Sequence, residues 1–283
     1  MRVVRASHLG MCFGVRDAIA KVLRAGGREP LTVLGELVHN ETVLEQLAAR
    51  GIRLRHEIGE VDTPMVAITA HGASARRRAA MRERGLRILD ATCPIVRAAH
   101  RAVTVLAADG FHPVIVGRPD HVEVRGLTED LDAFDVISTE ADVGRLQPRA
   151  RFGIAAQTTQ PIERVRRLAS LIQRRFPQSE VRVAETTVCV PTRLRQEAAA
   201  ALASMCDVVV VVGDARSNNT RELGATCRAS CAHVFLVQGA GDLRPEWFAG
   251  ARVAGLTAGT STPDAVVDSV EIAMQGIAKR RVA

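Results

Sequence analysis

The sequence predicts an α/β protein built on mainly parallel sheets. Short runs rich in valine, isoleucine and leucine alternate with helical patterns nearly from end to end of the 283 residues, which is typical of repeated strand–helix units. Polar side chains gather directly after the predicted strands, where open parallel sheets bind their ligands. A strand–turn–cysteine–helix pattern recurs three times and indicates three similar modules.

Eleven strands are expected, and most are short runs of β-branched and other apolar residues. In chain order they are residues 3–4, 31–34, 65–69, 86–89, 113–116, 134–137, 152–155, 181–183, 208–212, 234–237 and 253–256. The helix expected at residues 41–50 is typical of those between them, because Asn40 is a suitable N-cap and Gly51 a suitable end. Its apolar face consists of Val43, Leu44 and Leu47.

The composition is that of a globular protein with a sizeable core, at 47% hydrophobic and 24% charged residues. No apolar run approaches the roughly 18 residues that a membrane span needs, and the N-terminal residues lack the apolar region of a signal peptide. We therefore expect a cytoplasmic protein with no membrane partner.

Arginine carries almost all of the positive charge. Lysine and arginine number 38 against 31 acidic residues, a net charge of +7, yet Lys21 and Lys279 are the only lysines. The sequence has no Walker A loop and no Gly-x-Gly-x-x-Gly dinucleotide fingerprint, and a lysine Schiff base is not expected. Seven phenylalanines, one tryptophan and no tyrosine offer few stacking platforms, so nucleic-acid binding is a minor alternative.

Three of the six cysteines share one setting. Cys12, Cys93 and Cys189 each follow a predicted strand and a polar turn, and each precedes a helix. Disulfides are not expected without a secretory signal, so these thiols are core residues or ligands. The pattern predicts three α/β domains at residues 14–92, 93–188 and 189–283, with residues 1–13 packed at the centre.

The other three cysteines lack this setting. Cys206 follows a helical segment, whereas Cys227 and Cys231 fall one turn apart on a helical stretch that is followed by His233. We expect a structural pair, because free cysteine usually behaves as a small buried hydrophobe. A second metal site is the alternative.

Eight groups of polar residues follow successive predicted strands. They are His39-Asn40, His71-Gly72, Cys93, His121 with Glu123, Gln157-Thr158-Thr159, Cys189 with Thr192, Ser217-Asn218-Asn219 and Thr260-Ser261. One such group is usually a helix cap or a satisfied core group, but eight indicate a binding site. In a site poor in lysine, hydroxyl, amide and imidazole groups and helix N-termini are the expected donors to a phosphate group.

Three cysteines can hold two kinds of metal centre. Zinc normally completes its ligand set with a fourth cysteine or histidine. A cubane iron–sulfur cluster held by three thiolates instead leaves one iron open to substrate. The residue types alone leave both centres open.

Eight short segments carry a resemblance to a known family. In chain order they are Met11-Cys-Phe-Gly-Val, Gly35-Glu-Leu-Val-His-Asn, Ala70-His-Gly, Asp90-Ala-Thr-Cys-Pro, His121-Val-Glu-Val-Arg-Gly, Gln157-Thr-Thr, Thr187-Val-Cys with Arg195-Gln196, and Thr257-Ala-Gly-Thr-Ser. They resemble, in this order, the motifs of the LytB/IspH family, the 4-hydroxy-3-methylbut-2-enyl diphosphate reductases. These enzymes catalyse the last step of the methylerythritol phosphate route to isoprenoids. The resemblance runs from residue 11 to about residue 264.

The resemblance implies a trefoil of three α/β domains around a central iron–sulfur cluster. Cys12, Cys93 and Cys189 would hold one [4Fe-4S] cluster and leave one iron open. The residues that would bind the substrate diphosphate or lie beside the substrate are His39, His71, His121, Thr158, Thr192, Ser217, Asn218, Asn219 and Ser261.

The resemblance also implies a reaction. The allylic alcohol (E)-4-hydroxy-3-methylbut-2-enyl diphosphate would lose its hydroxyl in a two-electron, two-proton reduction to isopentenyl and dimethylallyl diphosphate. Glu123 would be central to proton delivery, His121 would lie beside the substrate, and Thr158 would orient its hydroxyl. Ferredoxin or flavodoxin would supply the electrons singly, which is consistent with the missing dinucleotide fingerprint.

Two positions depart from the family pattern. Val122 stands where proline is usual, and Asn218 stands where a second serine usually precedes the asparagine, within a stretch from Gly213 that otherwise diverges. A divergent paralogue that uses the same open-iron cluster on a related diphosphate is therefore an alternative. A non-enzymatic iron–sulfur sensor or nucleic-acid-binding protein is a further one.

Overall fold

A computed structural model of the chain describes residues 1–280. These residues form two compact units. Unit 1 contains Met1–Val15, His39–Glu45 and the chain from Val190 onward, and unit 2 contains Arg16–Val38 and Gln46–Cys189.

Strands and helices alternate throughout residues 1–280. The strands are β1 (Arg2–Arg5), β2 (Leu31–Leu34), β3 (Arg53–Arg55), β4 (Met65–Ile68), β5 (Arg87–Asp90), β6 (His112–Val116), β7 (Asp135–Ile137), β8 (Arg151–Ala156), β9 (Glu180–Val183), β10 (Val208–Val212), β11 (Val234–Val237) and β12 (Val253–Ala258). The α-helices are α1 (Phe13–Gly26), α2 (Glu41–Ala48), α3 (Ala75–Glu83), α4 (Pro94–Ala108), α5 (Val122–Thr128), α6 (Glu140–Arg145), α7 (Ile162–Arg175), α8 (Val190–Ala203), α9 (Asn218–Arg228) and α10 (Asp264–Arg280). Short 3₁₀ turns lie at Ile58–Glu60, Glu185–Thr187, Ala240–Asp242 and Pro245–Phe248.

The strands form three four-stranded sheets in which every pair is parallel. Unit 2 contains two of the sheets, in the orders β3-β2-β4-β5 and β7-β6-β8-β9, and unit 1 contains the third, in the order β1-β12-β10-β11. The predicted fold class, three similar α/β modules on parallel sheets, is therefore confirmed.

The three sheets have one topology. In both sheets of unit 2 the first strand in the chain lies between the second and the third, and the fourth lies beyond the third. The sheet of unit 1 follows the same rule when β10, β11 and β12 are its first three strands and β1 is its fourth. The N-terminal strand thus completes the sheet of the C-terminal module, whereas residues 14–92 and 93–188 each contain a whole sheet.

The first strand of each sheet also ends in the same way. A glycine follows it, and the N–H of that glycine donates to the carbonyl of the last residue of the second strand. These bonds are Gly35 to Arg55 (2.7 Å), Gly117 to Ile137 (2.9 Å) and Gly213 to Val237 (2.8 Å). The strand order reverses between the first and third strands, so each sheet has a topological switch point there, where ligands of open α/β sheets bind.

Helices cover both faces of the sheet in unit 1. Val208, Val210 and Val212 pack in a core with α10. Val209 and Val211 face the opposite core, with α8 and α9. Because both faces of the sheet are buried, β10 is an unbroken run of valines instead of an alternation of polar and apolar residues.

The predicted strands are confirmed to within one or two residues, but β3 was not predicted. Its sequence is Arg-Leu-Arg at a sheet edge, so it has no run of β-branched residues to mark it. The predicted helix at residues 41–50 ends two residues earlier, at Ala48. Its cap is confirmed, because Oδ1 of Asn40 accepts from the N–H of Val43 at 3.2 Å. Within residues 1–280, no helix is long and apolar enough to cross a membrane.

Candidate functional site

The three cysteines that share a sequence setting also share a backbone contact. Each is the residue directly before a helix, and its N–H donates to the carbonyl of the second residue after the third strand of its own sheet. These bonds are Cys12 to Thr260 (3.0 Å), Cys93 to Ala70 (3.1 Å) and Cys189 to Thr158 (2.9 Å). Each module therefore fixes its cysteine in an equivalent place, next to its switch point.

These three cysteines suit an anionic metal centre. None of the six cysteines, all of which lie in the described part of the chain, forms a disulfide. Each of Cys12, Cys93 and Cys189 precedes the first turn of a helix of 14 or 15 residues, whose N-terminal partial charge favours negative charge. Three thiols in equivalent turns are a ligand set that fits an iron–sulfur cluster.

Of the other three cysteines, Cys227 and Cys231 are buried and Cys206 is partly buried. The Sγ of Cys227 donates to the carbonyl of Ala199 (3.8 Å), and the Sγ of Cys231 contacts the carbonyl of His233 (3.5 Å). Burial raises the pKa of Cys227 to about 12, with a smaller contribution from Cys231, and burial also raises the pKa of Cys206. Cys227 therefore stays protonated at neutral pH, and Cys231 is buried as well, which supports the structural pair over a second metal centre.

An ion pair braces the Cys93 turn. Oδ1 of Asp90 accepts from the N–H of Thr92 (3.0 Å), and its Oδ2 accepts from Nη1 of Arg78 (3.0 Å). Burial acts to raise the pKa of Asp90, but these donors outweigh it and hold the pKa below its usual value. Glu185, which lies shortly before the Cys189 turn, forms an exposed ion pair with Arg166.

Glu123 is a buried carboxyl group at the switch point of the second sheet in unit 2. Only 2% of the residue is exposed. The N–H of Thr158 donates to its Oε1 (2.6 Å), the Thr158 hydroxyl donates to its Oε2 (3.2 Å), and its own N–H donates to Nδ1 of His121 (3.1 Å). Burial raises the pKa of Glu123 to about 7, although the hydrogen bonds from Thr158 act to lower it. The group can therefore hold and release a proton near neutral pH.

His121, which accepts from the backbone N–H of Glu123, is in contact with a second histidine of unit 2. The rings of His71 and His121 meet edge to face, with their centroids 5.6 Å apart. The neighbouring Gln157 accepts from the N–H of Arg118 (3.2 Å), while its buried Nε2 has no hydrogen-bond partner among the described residues. A buried donor without a partner costs free energy, so it fits a site that binds an acceptor.

The switch point of unit 1 gathers polar groups around the turn after β12. Oδ1 of Asn219 accepts from the N–H of Thr260 (2.9 Å), and the hydroxyl of Ser261 donates to the carbonyl of His39 (3.0 Å). Ser217 caps α9, where its Oγ accepts from the N–H of Thr220. Nδ2 of Asn219 is buried and has no hydrogen-bond partner among the described residues. An unsatisfied amide donor at the start of a helix is suited to a phosphate oxygen.

An ion-pair cluster supports the loop after β10. Arg216 donates from Nη2 to Oδ2 of Asp214 (2.7 Å) and to Oε2 of Glu41 in α2 (3.1 Å), and its N–H donates to Oδ1 of Asp214 (2.8 Å). Asp214 is almost fully buried, and its pKa is lowered because the bonds from Arg216 outweigh the effect of burial. Arg216 thus ties the loop before Ser217 to the segment that follows His39.

The predicted residues fall into two contact networks. The network of unit 2 consists of Cys189, Thr158, Glu123, His121 and His71. The network of unit 1 consists of His39, Ser261, Asn219 and Cys12, which are joined by the Thr260–Ser261 turn. Thr192 and Asn218 are buried in the first turns of α8 and α9, and Cys93 is joined to the residue before His71.

Sequence reasoning missed Asp214 and Arg216 as site residues. It listed Thr260 among the polar residues after a strand but gave it no role, because the contacts of Thr260 to Cys12 and Asn219 are made by its backbone. Asp214 and Arg216 lie in the stretch that departs from the family pattern, where no motif could identify them.

The comparisons with known proteins agree on one protein family. The sequence model described as LytB protein matches residues 3–275. The chain is 35% identical over 272 residues to the 4-hydroxy-3-methylbut-2-enyl diphosphate reductase of Pelobacter propionicus, covering 95% of this chain and 96% of that protein. It is also 35% identical over 283 residues to the reductase of the same name from Aquifex aeolicus, covering 97% of this chain and 96% of that one.

Two solved structures share the fold. The E-1-hydroxy-2-methyl-but-2-enyl-4-diphosphate reductase of Plasmodium falciparum matches with a TM-score of 0.88 and 25% identity, covering 94% of this chain and 85% of that one. A structure of (E)-4-hydroxy-3-methyl-but-2-enyl diphosphate reductase, the terminal enzyme of the non-mevalonate pathway, matches with a TM-score of 0.68 and 32% identity. It covers 97% of this chain and 99% of that one.

Proposed function

The chain belongs to the LytB family, and we propose that it is a 4-hydroxy-3-methylbut-2-enyl diphosphate reductase that uses an iron–sulfur cluster. The reaction removes the allylic hydroxyl of the substrate with two electrons and two protons and releases water with isopentenyl or dimethylallyl diphosphate. The observation that carries the proposal is the equivalence of the three cysteine turns, each next to a switch point with polar residues.

Cys12, Cys93 and Cys189 are the proposed ligands of one [4Fe-4S] cluster. When bound, such a cluster supplies electrons singly and offers one Lewis-acidic iron without a protein ligand. The equivalent turns and the partial positive charge of the following helices support this ligand set.

Glu123 is the proposed proton donor, and Thr158 positions it. A carboxyl group with a pKa of about 7 is partly protonated at neutral pH, so it can deliver a proton as the C–O bond breaks. Thr158 donates to both carboxyl oxygens, so its hydroxyl lies where it can also orient the hydroxyl of the substrate. Because this carboxyl group is buried, bulk water does not compete for the proton.

The diphosphate is bound mainly by hydroxyl and amide donors and by histidine side chains. In unit 1 these are Ser217, Asn219 and Ser261, together with His39, and the unsatisfied Nδ2 of Asn219 supports this role. In unit 2 they are His71 and His121, whose rings are in contact. Thr192 and Asn218, buried in the first turns of their helices, complete the proposed substrate-binding residues.

The donor of electrons is proposed to be a ferredoxin or a flavodoxin. Both carry electrons singly, as the cluster requires, and the sequence has no dinucleotide fingerprint. Cluster thiolates need a reducing compartment, so we place the enzyme in the cytoplasm.

Turnover of the allylic diphosphate tests the proposal. The protein is reconstituted anaerobically with iron and sulfide and assayed with (E)-4-hydroxy-3-methylbut-2-enyl diphosphate and reduced methyl viologen. We expect both isomeric products, together with loss of turnover in Cys93→Ser and retention in Cys206→Ser. A reconstituted protein that binds a cluster but leaves this substrate unchanged would exclude the reductase function.

A divergent paralogue that acts on a related diphosphate is the second candidate. It is favoured by Asn218, which stands in the phosphate-binding loop where a serine is usual, and by Val122. Since one neutral hydrogen bond is worth about 0.5–1.5 kcal/mol, Asn218→Ser in the reductase should change turnover by no more than about tenfold. A gain of about a hundredfold or more on the substrate named above would instead support the paralogue.

A further inference from the structure

A second repeat accompanies the three cysteine turns. In each case the residue after the cysteine is apolar and the fourth residue after it is arginine. The segments are Cys12-Phe-Gly-Val-Arg16, Cys93-Pro-Ile-Val-Arg97 and Cys189-Val-Pro-Thr-Arg193. None of these apolar residues or arginines has a place in the proposed chemistry.

Each helix presents these two side chains to solvent. The apolar residue is the first of its helix and the arginine is the fourth, so the two lie three residues apart on one face. Phe13 and Val190 are each 52% exposed, and Pro94 is exposed as well. The core of the protein therefore does not account for these apolar side chains, one after each cysteine.

The arginines are also accessible. The side chains of Arg97 and Arg193 are 48% and 46% exposed, and Arg16 is exposed. Arg97 pairs with Asp90 at 3.3 Å, and Arg193 pairs with Glu197 at 3.6 Å. Such half-exposed pairs are weak, so each guanidinium can still meet a carboxylate of another protein.

We propose that these helix starts are the contacts for an acidic electron carrier of the ferredoxin class. The inference rests on the proposed function, because the reaction consumes two electrons that the chain must receive singly from outside. Phenylalanine and arginine are among the residues enriched in protein interfaces, and each helix start offers an exposed apolar side chain together with an arginine. A basic chain of net charge +7 that offers an arginine one turn from each cluster ligand is complementary to an acidic partner.

Replacing the arginines separates docking from chemistry. The reconstituted enzyme is prepared as the single variants Arg16→Gln, Arg97→Gln and Arg193→Gln and as the triple variant. Each variant is assayed with reduced ferredoxin and, in parallel, with reduced methyl viologen. Arg166→Gln is the matched control, because its side chain is 49% exposed and ion-paired but follows no cysteine. We expect each single change to lower kcat/KM for ferredoxin by about two- to fivefold at low salt, and the triple change to lower it further.

The viologen reaction should stay unchanged in every variant, and the triple variant should lose most of the salt dependence of its reaction with ferredoxin. An unchanged kcat/KM for ferredoxin in the triple variant would overturn the proposal, as would an equal loss with viologen. A change of oligomeric state without a ferredoxin defect would assign these contacts to a second copy of the chain and would also overturn it. Absence of viologen-driven turnover in the unaltered protein would instead contradict the reductase function itself.

Discussion

The carboxyl group of Glu123 is the residue on which the proposed chemistry depends most. It is buried, it accepts two hydrogen bonds from Thr158, and burial raises its pKa to about 7. A group with this pKa is mostly protonated below pH 7 and loses its proton above it. The rate of the proton-dependent step is therefore expected to fall as the pH rises through about 7.

Glu123→Gln removes the titrating proton but keeps the shape of the side chain. Positioned acid–base groups contribute about 10²–10⁴-fold in rate, so turnover should fall by about that factor, and the decline above pH 7 should disappear. Cluster absorption and substrate affinity, measured on the same anaerobic preparation, should change little. Near-wild-type turnover would remove Glu123 from the mechanism, and a lost cluster would make its role structural.

Sequence reasoning identified Glu123 through its motif but could not predict its environment. A carboxylate in the first turn of a helix is usually a surface residue favoured by the helix dipole. Its burial depends on Thr158, which is 35 residues away in the chain. Such a contact depends on the pairing of β6 with β8, which no local pattern reveals.

Among the structural elements, the loop after β10 depends on the cluster formed by Asp214, Arg216 and Glu41. Arg216→Ala leaves the carboxylate of Asp214 buried without its guanidinium, at a cost of about 1–3 kcal/mol. We expect a lower free energy of unfolding in urea and a KM for the diphosphate raised several-fold, because the loop carries Ser217. Glu41→Gln removes only the exposed half of the cluster and should cost less than about 1 kcal/mol.

The comparison of the two variants decides what the ion-pair cluster of Asp214, Arg216 and Glu41 does. If Arg216→Ala changes neither the stability nor the KM, the loop is held by its backbone contacts alone. Equal effects of both variants would show that the exposed pair with Glu41, and not the buried carboxylate of Asp214, holds the loop.

Elements with a strong local pattern were predictable, and those without one were not. The apolar run 208–212 and the capped helix after Asn40 are evident in the sequence. The short strand β3 exists because β2 offers it an edge to pair with, so its own residues carry little signal.

At the scale of the whole molecule, three modules of one topology each place a cysteine beside a switch point. The cysteine repeat was visible in the sequence, so the number of modules could be predicted. The place of β1 as the fourth strand of the C-terminal module could not, because the pairing of β1 with β12 joins residues about 250 positions apart and has no local signature. This pairing makes Cys12 the equivalent of Cys93 and Cys189.

The most direct test of the account is the visible charge-transfer absorption of six single cysteine variants after anaerobic reconstitution with iron and sulfide. We predict that Cys12→Ser, Cys93→Ser and Cys189→Ser each lose the absorption, because each removes one of the three proposed ligands. Cys206→Ser, Cys227→Ser and Cys231→Ser should retain it, since these thiols are not among the proposed ligands. Loss of the absorption in any of the latter three, or its retention in any of the former, would contradict the assignment.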